Sequence, residues 1–169
     1  MKFKLSFLLL VLSLNYMISQ NQSSCPCCTD NHKAFDYWIG NWTVYNTEGD
    51  MIGTNKILKM HDGCVIQENW EAANKTNTGT SYNYFDPKDN TWNQLWVSNT
   101  GNILKLKGNI NEDGNMELRS ELTKGKKKMY YNRIVWVKNE NGSVTQVWDI
   151  LDENGNELSK AFEGIYKKN

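Results

Sequence analysis

The side chains here that could do chemistry fall into two sets. One is polar and interleaved with tryptophan: Glu68 beside Trp70, Ser81 and Asn83, Gln94 between Trp92 and Trp96, Arg133, and Gln146 beside Trp148. Alternation places each of these residues on one face of its own short segment. If those faces all point inward, they enclose an aromatic-walled pocket holding one carboxylate, one guanidinium and several amide or hydroxyl groups. That composition suits an amphipathic or apolar small molecule whose polar end is fixed by a few hydrogen bonds. Glu68 and Arg133 are expected to pair, lowering the desolvation cost of both, or Arg133 to take a ligand carboxylate with its two-pronged guanidinium. The competing reading is a barrel filled solidly by its seven tryptophans, serving as a structural or interaction module.

Catalysis finds little support in the same residues. The two histidines, His32 and His61, fall in a lead-in and a turn, and no serine, histidine and acid set lies in register for nucleophilic work. No second inward carboxylate stands ready to share acid and base duties with Glu68. A lone buried glutamate can still act as a base on a bound carbonyl compound, so an isomerase or cyclase using Glu68 is the enzymatic alternative. No glycine-rich phosphate loop occurs, and no cofactor is expected.

The second set is Cys25, Cys27, Cys28 and Cys64. If all four pair, Cys64 joins one of the first three and the other two join each other. Cys28 is the preferred partner, a staple contributing about 3 kcal/mol for a loop of that length. Two other chemistries fit the cluster. Three thiolates with His32 could hold a soft metal, and the C-x-x-C could do redox work, although no thioredoxin-like strand and helix follows it.

Residues 1–20 read as a secretory signal, with Lys2 and Lys4 ahead of an apolar run too short to span a membrane. Gln22-Ser23-Ser24 is polar where an acylation site needs a hydrophobic residue, so no lipid anchor is expected at Cys25. The expected location is secreted or periplasmic, where disulfides form. Residues 21–34 form the cysteine-bearing lead-in and residues 35–169 a single domain. The sequence holds 19 basic and 19 acidic residues; without Lys2 and Lys4 the balance is 17 against 19. That gives no electrostatic case for nucleic acid or an anionic membrane. The single basic run, Lys124-Gly125-Lys126-Lys127-Lys128, reads as a solvated hairpin tip.

Ten strand candidates follow one another from Ile39 to Tyr166, separated by turns such as Asp62-Gly63, Asp113-Gly114, Asn141-Gly142 and Asn154-Gly155. Such dipeptides are strong hairpin signals, and the two prolines lie outside every strand candidate. The fold class is all-β: an antiparallel up-and-down barrel of about ten strands with a short helical turn before it, a sandwich being the alternative. Gly40 and Trp42 are expected to plug one barrel end. Alternation is clean at Leu104/Leu106 and Met116/Leu118. Segments 91–98 and 128–137 carry bulky residues on both faces, so parity alone does not orient them.

The stretch Phe35-Asp36-Tyr37-Trp38-Ile39-Gly40-Asn41-Trp42 resembles the Phe-Asp-Phe-Trp-x-Gly-x-Trp opening of a bacterial family of unknown function with a lipocalin-like (calycin-type) barrel. Gly63 to Trp70, Gly79 to Asp86, Trp92-x-Gln94-x-Trp96-Val97, Arg133 to Trp136, Gln146-Val147-Trp148 and Phe162 to Tyr166 carry the resemblance over nearly the whole mature chain. It implies a ligand cavity of the kind found in the wider lipocalin, fatty-acid-binding and nitrobindin group. The haem-binding branch of that group needs an axial histidine on a late strand, which this sequence lacks.

Overall fold

A computed structural model describes residues 25–169, so the signal peptide expected over residues 1–20 lies outside the described residues. The chain opens with one helical turn, α1 (Asp30–Lys33), capped by the Thr29 side chain. A 3-10 turn over Asp36–Trp38 leads into β1 (Gly40–Tyr45). Then come β2 (Met51–Met60), β3 (Val65–Ala72), β4 (Thr78–Asp86), β5 (Thr91–Ser98) and β6 (Ile103–Ile110). The second half is β7 (Met116–Arg119), the two-residue β8 (Thr123–Lys124), β9 (Met129–Lys138), β10 (Val144–Asp152) and β11 (Glu157–Lys168).

Each strand pairs antiparallel with its neighbours. β11 returns to pair with β1, from Trp42 opposite Lys168 to Tyr45 opposite Ile165, and this closes a ten-stranded barrel with β8 as an appendage on β9. The barrel is up-and-down, as the succession of hairpin signals predicts, and the sandwich alternative does not occur. β7 ends at Arg119: the Ser120 N–H still donates to the Asn132 carbonyl, but the Ser120 hydroxyl takes the Asn132 N–H that a regular ladder would give to a carbonyl.

The two ends of the barrel differ. At the lower end the Phe35–Trp38 segment folds under the opening, and Phe35 and Trp38 stack 4.9 Å apart. Trp136 meets both, at 5.1 and 5.4 Å, and Trp92 meets Phe35 edge-on at 5.7 Å. Trp42 is buried and its indole donates to the Trp38 carbonyl at 2.8 Å. The tryptophan at the start of β1 is therefore part of the buried core and tied to the Phe35–Trp38 segment, and Gly40, with φ +150°, supplies the backbone conformation that leads into it. Tyr37 fixes this segment to the wall, donating to the Trp136 carbonyl (2.7 Å) while its oxygen accepts from the Met116 N–H (3.1 Å). Burial pushes its phenol far above the ordinary range.

The cysteines pair as Cys27–Cys64 and Cys25–Cys28. This corrects the expected Cys28–Cys64 bond. Residues 25–28 form a turn in which the Cys28 N–H donates to the Cys25 carbonyl, bringing those two Cα atoms within 5.3 Å and leaving Cys27 to reach Cys64. All four thiols are paired, which leaves no thiolate to hold a metal, and the bond between Cys25 and Cys28 is the C-x-x-C in its oxidised form. His32, the fourth member of the metal reading, packs edge-on against Phe85 at 5.1 Å and bonds Thr29. Two disulfides suit an oxidising compartment. Among the described residues no helix is long and apolar enough to cross a membrane.

Loop length separates the two bonds. Cys27–Cys64 spans 37 residues and Cys25–Cys28 spans 3. Replacing the Cys27/Cys64 pair by serine should cost about 3–4 kcal/mol of unfolding free energy, against about 2 for the Cys25/Cys28 pair, by denaturant titration. An equal or reversed ranking would show that Cys27–Cys64 does not anchor the plug.

Candidate functional site

The upper half of the barrel is not filled. A cavity of about 580 Å³ opens there, between the β3–β4, β5–β6 and β10–β11 turns. Its wall carries Trp70, Trp96 and Trp148 with Phe162, Leu104 and Ile134, and Ala72, Asn102 and Tyr130 lie at the mouth. The seven tryptophans are thus divided: Trp38, Trp42, Trp92 and Trp136 are buried in the core, and the other three line the cavity. A solid interior filled by tryptophan is not what the chain builds.

Two glycines make room for this wall. A Cβ at Gly79 would sit 2.2 Å from the Trp96 ring, and one at Gly53 would sit 2.4 Å from Trp70. Each indole packs against a backbone that only glycine leaves bare. Trp70 meets Phe162 edge-on at 5.9 Å, and the Trp148 indole donates to Asn132 at 2.9 Å, so both rings are held in place.

The floor is polar. Glu68 projects inward from β3, is 6% exposed, and accepts from Asn55 on β2 (2.7 Å) and from the Ser81 hydroxyl on β4 (2.6 Å). Asn83 donates to Ser81 (2.9 Å) and to the Ile66 carbonyl (3.1 Å), and accepts from Gln94 on β5 (2.7 Å). Across the barrel, the Tyr166 hydroxyl donates to Gln146 at 2.5 Å. Glu68, Gln94, Gln146 and Tyr166 meet the cavity, while Ser81 and Asn83 are fully buried beneath them as supports. Burial pushes the Glu68 carboxyl up to about 7 against the pull of its two hydrogen bonds. Burial, and then the negative charge of Glu68, hold the Tyr166 phenol well above its usual range.

Six of the nine expected lining residues therefore meet in one cavity: Glu68, Trp70, Gln94, Trp96, Gln146 and Trp148. Ser81 and Asn83 join them indirectly. Arg133 does not. Its neighbours on β9, Asn132 and Ile134, point into the barrel, so Arg133 points out, where it pairs with Asp149 at 2.7 Å. The expected Glu68–Arg133 pair is replaced by two separate arrangements on opposite faces of the wall. Asn55, Asn132, Phe162 and Tyr166 complete the site although sequence reasoning did not single them out. The signal existed for Asn55 and Tyr166, since Gly53-x-Asn55-x-Ile57 and Phe162-x-Gly164-x-Tyr166 each put them in phase with inward neighbours.

Neither histidine lies at the cavity. His32 is on α1 beneath the plug and His61 is in the turn between β2 and β3. The lysine run at 124–128 belongs to the β8–β9 hairpin and does not line the cavity. No family model matches the sequence, and no curated protein matches it.

Glu68 makes folding stability depend on pH. The unfolded chain releases this proton near the ordinary value of 4.5 and the native protein near 7. Between those values the native state binds more protons, so stability falls as pH rises and levels off above about 7. The contribution of this group is on the order of 3 kcal/mol across the window. Glu68→Gln should flatten the pH 5–7 slope and stabilise the protein at pH 8 by about 2 kcal/mol, measured by urea unfolding at several pH values. An unchanged slope would mean that Glu68 titrates normally.

Proposed function

We propose that this is an exported carrier or receptor that encloses a small amphipathic or apolar molecule in the upper half of its barrel. The observation that carries the reading is the cavity itself: an aromatic wall open at one end, over a floor of amide and carboxyl groups held by their own hydrogen bonds. Apolar walls supply affinity without direction, and the few polar groups at the floor set which end of the ligand enters first. The resemblance to lipocalin-like barrels points the same way. The two disulfides and the apolar run at the start of the sequence fit export.

Ala72 is half-buried at the mouth, so Ala72→Trp narrows the entrance without touching the floor. Fatty alcohols, isoprenoids and lipids should quench or shift tryptophan fluorescence of the native protein and add mass in native mass spectrometry. The Ala72→Trp protein should lose both responses by at least about tenfold. Silence of the native protein across the panel would sink the reading.

A second reading rests on Glu68 alone. A carboxyl near neutrality at the base of an apolar cavity can take and return a proton, as an isomerase or cyclase acting on a carbonyl compound requires. It predicts that Glu68→Gln abolishes turnover of a bound carbonyl compound and leaves its binding intact. Loss of binding and turnover together would refute that separation.

A further inference from the structure

We propose that the cavity selects a ligand with a protonated amine head and an apolar tail, the head seated on Glu68 and the tail between the tryptophans. This deepens the carrier reading and rests on it. Three observations lead there.

Charge comes first. Among the described residues lining the cavity, Glu68 is the only one with an ionisable acid or base of ordinary charge, and no lysine, arginine or histidine reaches it. The guanidinium that would have welcomed a carboxylate or phosphate lies outside with Asp149. An anionic head would enter a poorly solvated floor beside a like charge with no counter-ion, which is the arrangement burial penalises most.

The acceptors on the floor come second. Each Glu68 oxygen takes one hydrogen bond, from Asn55 or from Ser81, and a carboxylate oxygen can accept two. Gln94 gives one amide N–H to Asn83, and its carbonyl oxygen is a further acceptor at the floor. An ammonium group brings three donors and no acceptor, and matches that set.

The wall is the third. Trp70, Trp96, Trp148 and Phe162 surround the space above the floor, and the negative faces of aromatic rings attract a cation in a poorly hydrated site. The same wall takes an alkyl tail whatever the charge of its head, so charge selection falls to the floor and to the rings nearest it.

The groups packed against Glu68 are Asn55 from β2, Ser81 from β4 and the phenol of Tyr166 from β11, all uncharged at neutral pH. A bound ammonium would supply the missing counter-charge and favour the ionised carboxylate. Amine affinity should therefore weaken as pH falls below about 7, the value to which burial has pushed Glu68.

Three probes that share one tail test this: octylammonium, octanol and octanoate, titrated into the disulfide-intact mature protein and followed by tryptophan fluorescence. The expected order is octylammonium tightest, at least about tenfold over octanoate. Octylammonium binding should weaken between pH 8 and pH 6, and Glu68→Gln should cost it about tenfold, more than it costs octanol. The variant has a way to keep its fold, because the Asn55 carbonyl oxygen has no partner and an amide turn would present it to the new donor. Should that variant fail to fold, the probe order and the pH profile of the native protein decide. Octanoate binding as tightly as octylammonium, or amine affinity indifferent to both pH and Glu68→Gln, overturns the head-group assignment alone. If none of the three binds, the assignment falls together with the carrier reading.

Discussion

The pairing of β11 with β1 is the constraint on which the rest of the structure depends. Until those strands meet, the sheet has two long edges of unpaired backbone groups and no inside. Once they meet, alternate residues of ten strands face one another across a shared interior, and that interior must be filled, plugged or left open. Closure turns a period-two sequence pattern into a site, because residues distant in sequence such as Glu68 and Tyr166 then share one environment.

Filling is unequal because the chain spends its largest side chains at one end. The segment from Phe35 to Trp38 brings two buried rings under the barrel, and Trp92 and Trp136 meet them from the wall. This end is dense enough that the indole N–H groups of Trp38 and Trp136 go without hydrogen-bond partners, a cost that close packing of the rings must offset. At the other end Trp70 and Trp96 pack on Gly53 and Gly79 and, with Trp148, line a space instead of filling it. The Cys27–Cys64 bond and the Tyr37 bridge tie the lower segment to the wall, whereas the mouth is bounded only by turns.

Much of this was legible in the sequence. Hairpin dipeptides mark most turns, and alternation in β3, β4 and β10 puts Glu68, Ser81, Asn83, Gln146 and Trp148 on inward faces, where the structure has them. Arg133 was misread because β9 has no polar face to give its phase away: Tyr131, Arg133 and Val135 alternate with Asn132, Ile134 and Trp136, and both rows are bulky. What settles β9 is long-range. Its register against β7 and β10 sets Arg133 opposite Arg119 and Asp149, an outer row that local sequence does not disclose. The disulfide partner was missed for a similar reason, since three cysteines within four residues have comparable reach and only the turn at 25–28 chooses among them. Asn55 was a different kind of miss, because its phase was readable but a lone asparagine on an otherwise ordinary strand draws no notice.

The separation of Glu68 from Arg133 changes what the cavity can be. A paired carboxylate would have been a structural feature, its charge spent on a neighbour and its proton lost at any physiological pH. Left without a cation, Glu68 is costly to ionise, and a core that only needed filling would be served as well by a glutamine or a leucine in its place. The chain instead keeps the carboxyl and surrounds it with a serine, two asparagines and a glutamine linked by hydrogen bonds from β2 across to β5. A network of that extent fixes one orientation of the acid at the floor of the open space, which is the preorganisation that the proposed carrier reading calls for.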